Sequence, residues 1–418
     1  IMNKDVQSSA KLEPRAALAE LKPAFDSNRM MGHVEHLASP ELEGRGVGTQ
    51  GLDKAADYIA KEFMASGLMP GGDNPGTFFQ SFEMNGPDGT PVKVKNVVGI
   101  IPGKNPKYDG QSVILTAHYD HLGKGWPNVR AEFADQTHFG ADDNASGVAV
   151  LLELAKTMAK SSPERAIIFV ATTAEESGLI GARHYVKTMK SYPISKATSN
   201  INLDTVGRAT DKLLVFGGNS ATEWRFIFMG TEATTGITAE LVMQDVNASD
   251  HTAFAEAGVP AIHIFGSATV DYHRPSDTSE KIKPESLMKV AAISKEILEY
   301  LAGRPEPLTS TLKPVNPMAE KVLPPADPKS GRKVSTGTMP DFTYAGKGVK
   351  VSSVAADSAG DKAGLKAGDI ITNFGGVDVT NLREYTSQLG KYNPGDTVDV
   401  VVNRGAIDVK LKLILAER

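Results

Sequence analysis

The chain of 418 residues contains no cysteine. That excludes disulfides, thiolate zinc sites and a cysteine nucleophile. No apolar run approaches the ~18 residues of a membrane-spanning helix. There is no excess of positive charge: 45 Lys and Arg stand against 50 Asp and Glu, a formal net charge of −5. Nothing in that balance points to nucleic acid. No G-x-S-x-G occurs, so a serine nucleophile has no support. The glycine-rich stretch at Gly44, Gly46 and Gly48 follows no strand and precedes no Gly-Lys-Ser/Thr, so it is not a phosphate loop. The sequence opens at Ile1-Met2 without a charged and apolar leader. Two expectations fit that opening: a cytoplasmic protein, or one whose signal peptide has been removed.

What is present reads as two units, because 418 residues exceed one ordinary core. Apolar runs at 96–101, 113–117, 166–172, 201–204, 212–218 and 261–265 alternate with helical patterns. One helix places Leu52, Ala55, Ala56, Ile59 and Phe63 on one face, with Gly67 as its C-cap. This alternation predicts an α/β domain with a largely parallel sheet over residues 1–303. Residues 304–337 carry seven prolines and read as a semi-extended linker. Residues 338–418 form a smaller unit of short β-like runs, with one helix predicted over Leu382 to Leu389.

The pivot is AIIFVATTAEESG, residues 166–178. Its first half is apolar and β-branched, as in a strand buried on both faces. It ends in Glu175-Glu176. Two adjacent anions at the end of a buried strand are costly unless a positive charge compensates them. Ligands of open α/β sheets gather at these strand ends. His118, Asp120, Asp142, Glu175, Glu176, Asp204 and His273 all follow apolar runs that bring them to one sheet edge. Imidazole with carboxylate suits zinc or another borderline divalent cation. A pair of cations about 3.5–4 Å apart would need a bridging carboxylate. His33, His36, His138 and His184 read as surface or loop residues, and His263 as a hydrogen-bonded core histidine. His121 stands beside the site.

The segments TAHYDHLG, GADDNASG, TTAEESGLIGARHY, INLDTVG, SDHTAF and DYHRPSDT follow one another at spacings that resemble the co-catalytic zinc aminopeptidases. These are the aminopeptidase Y or bacterial leucyl aminopeptidase type, metallopeptidase family twenty-eight. LASPELEGRGVGT near the N-terminus is similar to the same family, and the likeness covers roughly residues 30–303. The resemblance implies a three-layer zinc-exopeptidase domain with a mixed, mostly parallel central sheet. It implies two zinc ions, or another divalent metal, with His118 and Asp204 on one, Glu176 and His273 on the other, and Asp142 bridging them. It makes Glu175 the general base, makes Asp120 the group that holds the far nitrogen of the His118 ring, and suggests a cis bond at Asp142-Asp143. Asp250 would line the site without ligating.

AGLKAGDIITNFGGVDVT, residues 363–380, resembles bacterial PDZ domains. That likeness makes Gly346-Lys347-Gly348-Val349 the loop for a peptide carboxylate. It makes the following strand the one that pairs with a peptide or protein ligand. The expected protein is a periplasmic or secreted zinc aminopeptidase acting on peptide substrates. A carboxypeptidase, a dipeptidase or a glutaminyl-cyclase-like activity on the same site is the alternative within enzymes. A non-catalytic scaffold or receptor-like relative is the alternative outside them.

Overall fold

The computed structural model describes residues 24–312 and 333–417, except 128, 130, 210–211, 244–248, 268, 342–343 and 345. Residues 1–23 and the middle of the proline-rich stretch lie outside the described residues.

Helix α1 (Ser27–Leu37) starts where the Asp26 carboxylate accepts the N–H groups of Asn28 and Arg29. Helix α2 (Gln50–Ser66) starts on the Thr49 hydroxyl and ends at Gly67, whose φ of 85° suits a residue without Cβ. Three antiparallel strands follow: β1 (Met69–Pro70), β2 (Phe79–Asn85) and β3 (Pro91–Ile101). β1 and β2 are additions to the sequence reading. Their side chains are mostly half-buried or exposed, so no apolar run marks them. Next come β4 (Ser112–His118), α3 (Gly147–Met158), β5 (Ala166–Thr172), α4 (Ile180–Thr188) and β6 (Ala197–Leu203). Then follow β7 (Leu213–Phe216), α5 (Trp224–Thr235), β8 (Ala239–Leu241), α6 (His251–Glu256), β9 (Ala261–Phe265) and α7 (Pro284–Gly303).

The sheet runs β1-β3-β5-β4-β6-β9-β7-β8, with β2 paired to the free length of β3. Its centre, β5-β4-β6-β9, is parallel. β3 and β7 flank that centre antiparallel. All seven residues of β5 are buried, and alternation divides them between two cores. Ile167, Phe169 and Ala171 pack with α1, α2, α3 and α7. Ile168 and Val170 pack with Tyr185 of α4 and Phe254 of α6. Helices therefore cover both faces, the three-layer arrangement expected. Because four central strands are parallel, their C-terminal ends share one edge, and the acidic and histidine residues leave from there.

A separate core, with Val334, Leu365, Ile371, Phe374, Tyr385, Val400 and Leu413, belongs to the C-terminal part. Its elements are β10 (Val334–Ser335), β11 (Thr338–Pro340), β12 (Val349–Val354), α8 (Ala359–Lys362), β13 (Ile370–Phe374) and β14 (Val377–Asp378). They continue as α9 (Leu382–Leu389), β15 (Thr397–Arg404), β16 (Ile407–Ile414) and β17 (Ala416–Glu417). Helix α9 has the predicted bounds because Asn381 caps its start, accepting from Glu384 N. One expectation is corrected here. β12, the strand after Gly348, has β11 on one side and β13 on the other. Among the described residues both of its sides are paired, and the strand at the end of that sheet is β11.

The expected linker of 304–337 is shorter at its start, because Leu308 within it packs into the first core. Ser310 bridges to Ala221.

Candidate metal centre

His118 ends β4, and its imidazole is 1% exposed. Asp204 follows β6 and Glu175-Glu176 follow β5. His273 lies in the loop after β9. Ala174, Thr205 and His273 hold φ of 55°, 54° and 56° without being glycine. Left-handed backbone costs about 1–3 kcal/mol per residue and gathers at functional sites. Here each such residue adjoins, or is, a member of the cluster.

The structure brings His118, Glu176, Asp204 and His273 together as expected, but around Asp143 and not Asp142. Oδ1 of Asp143 lies 3.3 Å from His118 Nε2, which is also 3.4 Å from Asp204 Oδ1. Oδ2 of Asp143 lies 3.1 Å from His273 Nε2, which is 3.2 Å from Glu176 Oε2. One carboxylate thus presents each oxygen to a different imidazole–carboxylate pair. Asp142 points elsewhere. Its Oδ1 accepts Gly207 N at 2.7 Å, and Oδ2 faces Arg208 Nε at 3.7 Å. The cis bond is likewise one residue later, at Asp143-Asn144.

The physical reason is the turn over residues 141–146. Helical dihedrals break at Asp143 (φ −108°, ψ 92°) and Asn144 (φ −136°, ψ 40°). Asn144 anchors the turn: its Nδ2 donates to Leu203 O at 2.9 Å, and its Oδ1 accepts Gly147 N at 3.0 Å. A Cβ on Gly147 would sit 2.3 Å from that Oδ1, so only glycine fits there. Asp277 completes the mount, its carboxylate accepting the N–H groups of Asp142 and Asp143 at 3.0–3.1 Å.

Asp120 does touch His118, but through its main chain: His118 Nδ1 is 3.1 Å from Asp120 O and 3.7 Å from the carboxylate. The Asp120 carboxylate instead accepts Glu175 N at 3.1 Å and Glu176 N at 3.4 Å, orienting the two glutamates. His121 lies in the site, its Nδ1 2.9 Å from Glu176 Oε1 and 3.9 Å from Asp143. His121 and His273 thus compete as nitrogen donor beside Glu176. His273 is better placed, because one nitrogen faces both carboxylates at close range. His121 steadies the other Glu176 oxygen. His263 is a core histidine as expected, its Nε2 3.3 Å from Asp204 O. His33, in α1, and His138, in a loop as expected, are both buried: His33 pairs with Tyr58 Oη at 2.6 Å and His138 with Gln136 O at 3.0 Å. Asp250 is buried and accepts the Thr172 hydroxyl.

The electrostatics separate the two glutamates. Burial pushes Glu175 well above the usual carboxylate range, and Glu176 and Asp204 add to it. Burial acts on Glu176 too, but the His273 and His121 imidazoles outweigh it and hold Glu176 down to about 2. Asp143 is likewise held low against burial by His118 and His273. Burial, with Asp277 nearby, pushes Asp142 up to about 8. Environments that drive two neighbouring carboxyls apart in this way mark an acid/base assignment.

The donors fit divalent cations. His273 Nε2 is buried and within 3.2 Å of two carboxylates, yet makes no hydrogen bond. That geometry suits a shared positive centre between the donors. Imidazole nitrogen with carboxylate oxygen is a zinc-type set. Asp143 was named in the sequence only for the cis bond, and Asp277, Asn144 and Arg45 were not singled out. Asp277 lies inside DYHRPSDT and Arg45 inside LEGRGVG, so the motifs contained them without distinguishing them.

Comparisons with known proteins agree with this picture. The profile of peptidase family M28 matches residues 96–298, and that of the PDZ domain matches residues 331–415. Aminopeptidase YwaD of Bacillus subtilis (strain 168) is 30% identical over 227 residues, 51% of this chain and 46% of its own. The chain spans about half the length of the curated relatives it matches. A leucine aminopeptidase precursor from Bacteroides thetaiotaomicron has a TM-score of 0.55 at 20% identity, over 66% of this chain and 97% of that one. A glutaminyl cyclase of Porphyromonas gingivalis reaches 0.55 at 21%, over 66% and 99%. At those identities the two structures establish the fold alone.

Proposed function

Because residues 96–298 match the profile of peptidase family M28 and residues 331–415 that of the PDZ domain, we propose a zinc aminopeptidase working with two metal ions. The observation that carries the reading is the Asp143 carboxylate, which offers one oxygen to His118 and Asp204 and the other to His273 and Glu176. His118 with Asp204, and His273 with Glu176, would each hold a zinc ion together with Asp143, and the bound metal would supply Lewis-acid polarisation of the scissile carbonyl and of the attacking water.

The chain's own residues do the rest. Glu175 is not engaged by the imidazoles that hold Glu176, and burial makes it the stronger base. It takes a proton from water and returns it to the departing amine. Asp120 accepts the main-chain N–H groups of both Glu175 and Glu176 and so fixes where their side chains start. Asp277 and Asn144 fix the turn so that Asp143 faces both sets. A peptide ligand of the PDZ domain belongs to the same proposal, with β11, the end strand of its sheet among the described residues, as the strand it would pair with.

Three substrates test this: aminoacyl-nitroanilides, N-blocked peptides, and peptides beginning with glutamine. Cleavage of the nitroanilides, abolished by chelation and restored by zinc, is expected. Release of C-terminal residues from blocked peptides would make the enzyme a carboxypeptidase. Cyclisation of the glutamine peptides would favour the activity of the cyclase whose fold it shares. No turnover of any of the three by zinc-loaded protein would leave the scaffold reading.

A further inference from the structure

Arg45, in the glycine-rich N-terminal stretch, reaches the loops that carry the metal centre. It is fully buried, and its backbone is left-handed at φ 50°. A large charged residue is rarely either, and strain of this kind persists only where surroundings enforce it. They do so here through carbonyls. Nε donates to Tyr119 O at 2.7 Å, one terminal nitrogen to Phe139 O at 2.8 Å and to Leu37 O, and the other to Gly140 O at 2.8 Å. None of these acceptors is a carboxylate.

Two of them matter for the metal centre. Tyr119 lies between His118 and Asp120, and Gly140 opens the turn that carries Asp143. The main chain reinforces the link: His121 N donates to Arg45 O at 3.2 Å, and Gly123 N to Gly44 O at 3.1 Å. Gly46 and Gly123 meet face to face, so close that a Cβ on Gly46 would lie 2.9 Å from Gly123 Cα. The N-terminal stretch is thus locked to the far side of the loop bearing His118 and His121.

From this geometry we infer that Arg45 is a positioning residue, its guanidinium tying the His118–His121 strand end to the Gly140–Asp143 turn so that the cradle keeps its shape before metal arrives. The inference rests on the two-metal reading of the site. Burial draws the Arg45 pKa down to about 10, while Asp120, Asp143, Asp277 and Glu176 pull it back up, so it stays charged at neutral pH. That charge has two opposite effects on a divalent cation. It repels the ion, and it offsets part of the mutual repulsion of the four carboxylates around it. Positioning predicts that losing the fork weakens metal binding. Repulsion alone predicts that neutralising it tightens binding.

Arg45→Lys separates the two, because it keeps the charge but loses the planar fork. Zinc affinity of the full chain is measured by competition with a chromophoric chelator, beside circular dichroism and kinetics. Folded Arg45→Lys is expected to bind zinc roughly 10–100-fold more weakly, the usual scale for residues that orient ligands. Its kcat should fall with KM nearly unchanged, and excess zinc should restore part of it. Zinc binding as tight as wild type or tighter overturns the inference. Wild-type protein that holds less than one zinc overturns the two-metal reading instead.

Should Arg45→Lys not fold, amide exchange in the wild type decides. The His121 and Gly123 amides, donors to Arg45 and Gly44, are expected to stay protected after chelation. Rapid exchange there on metal removal overturns the preformed cradle.

Discussion

Asp120 and Glu175 are joined by one hydrogen bond, from the Glu175 N–H to Oδ1 of Asp120 at 3.1 Å, across the gap between β4 and β5. The same carboxylate accepts the next N–H, that of Glu176. It therefore sets where the proposed base and a proposed ligand begin. Asp120→Asn keeps one acceptor oxygen but gives up the charge that strengthens both bonds. Turnover should fall roughly 10–100-fold, with zinc held somewhat less tightly. Asp120→Ala should fall further. A wild-type kcat in Asp120→Ala would show that the bond does not position either glutamate.

Asp142 and Asp143 carry the same chemistry one residue apart, and the structure assigns them different work. Asp143→Asn removes the one negative group shared by both ligand sets, so zinc content and activity should collapse together. Asp142→Asn replaces a carboxylate that burial already pushes up to about 8 and that bonds Gly207 N. It should keep its zinc and lose no more than about tenfold in kcat. Elemental analysis of the two proteins decides. Loss of metal in Asp142→Asn with retention in Asp143→Asn would return the bridging role to Asp142.

This pair also shows how far the sequence could be read. The strands of the sheet centre were legible because their residues are buried on both faces, as the apolar run of β5 shows. Their parallel order then placed His118, Glu175, Glu176, Asp204 and His273 on one edge. The register of the bridging carboxylate was not legible, because Asp-Asp is chemically uniform. Only the break in dihedrals at Asp143 and Asn144, mounted by Asp277 more than 130 residues later, decides which side chain turns inward. Arg45 was hidden for a similar reason. Its partners are main-chain carbonyls, which every residue has. β1 and β2 escaped because edge strands that are half exposed carry no apolar signature.

All the proposed catalytic residues precede the proline-rich stretch, so the PDZ domain should be dispensable for small substrates. Where the chain is cut matters. Arg165, 1% exposed, donates to the carbonyls of Arg304 and Pro305. Glu223 accepts Thr309 N at 3.0 Å, and Leu308 packs in the core. A chain ending at Leu312 should fold and cleave nitroanilides within a few-fold of the full chain. One ending at Gly303 strands a buried cation and should melt several degrees lower, at about 2–4 °C per kcal/mol. Thermal melts and kinetics of both check this. Loss of small-substrate activity in a folded chain ending at Leu312 would mean that the PDZ domain contributes to the site.

The two glutamates give the sharpest test, because their substitutions should differ in kind. Glu175→Gln keeps size and hydrogen bonding but cannot take a proton. Glu175 stands outside the imidazole pairs, so both zinc ions should remain and KM should change little. Turnover should drop roughly 10²–10⁴-fold, the scale of a general base. Glu176→Gln gives up the anion that His273 faces at 3.2 Å and His121 at 2.9 Å. It should lose one zinc selectively, and excess zinc should recover part of the rate. His118 and Asp204 are untouched by that change, so the second equivalent should bind as in wild type. Zinc titration of each variant beside its kcat reads all of this at once. If Glu175→Gln loses a metal while Glu176→Gln keeps both, the roles of base and ligand are exchanged.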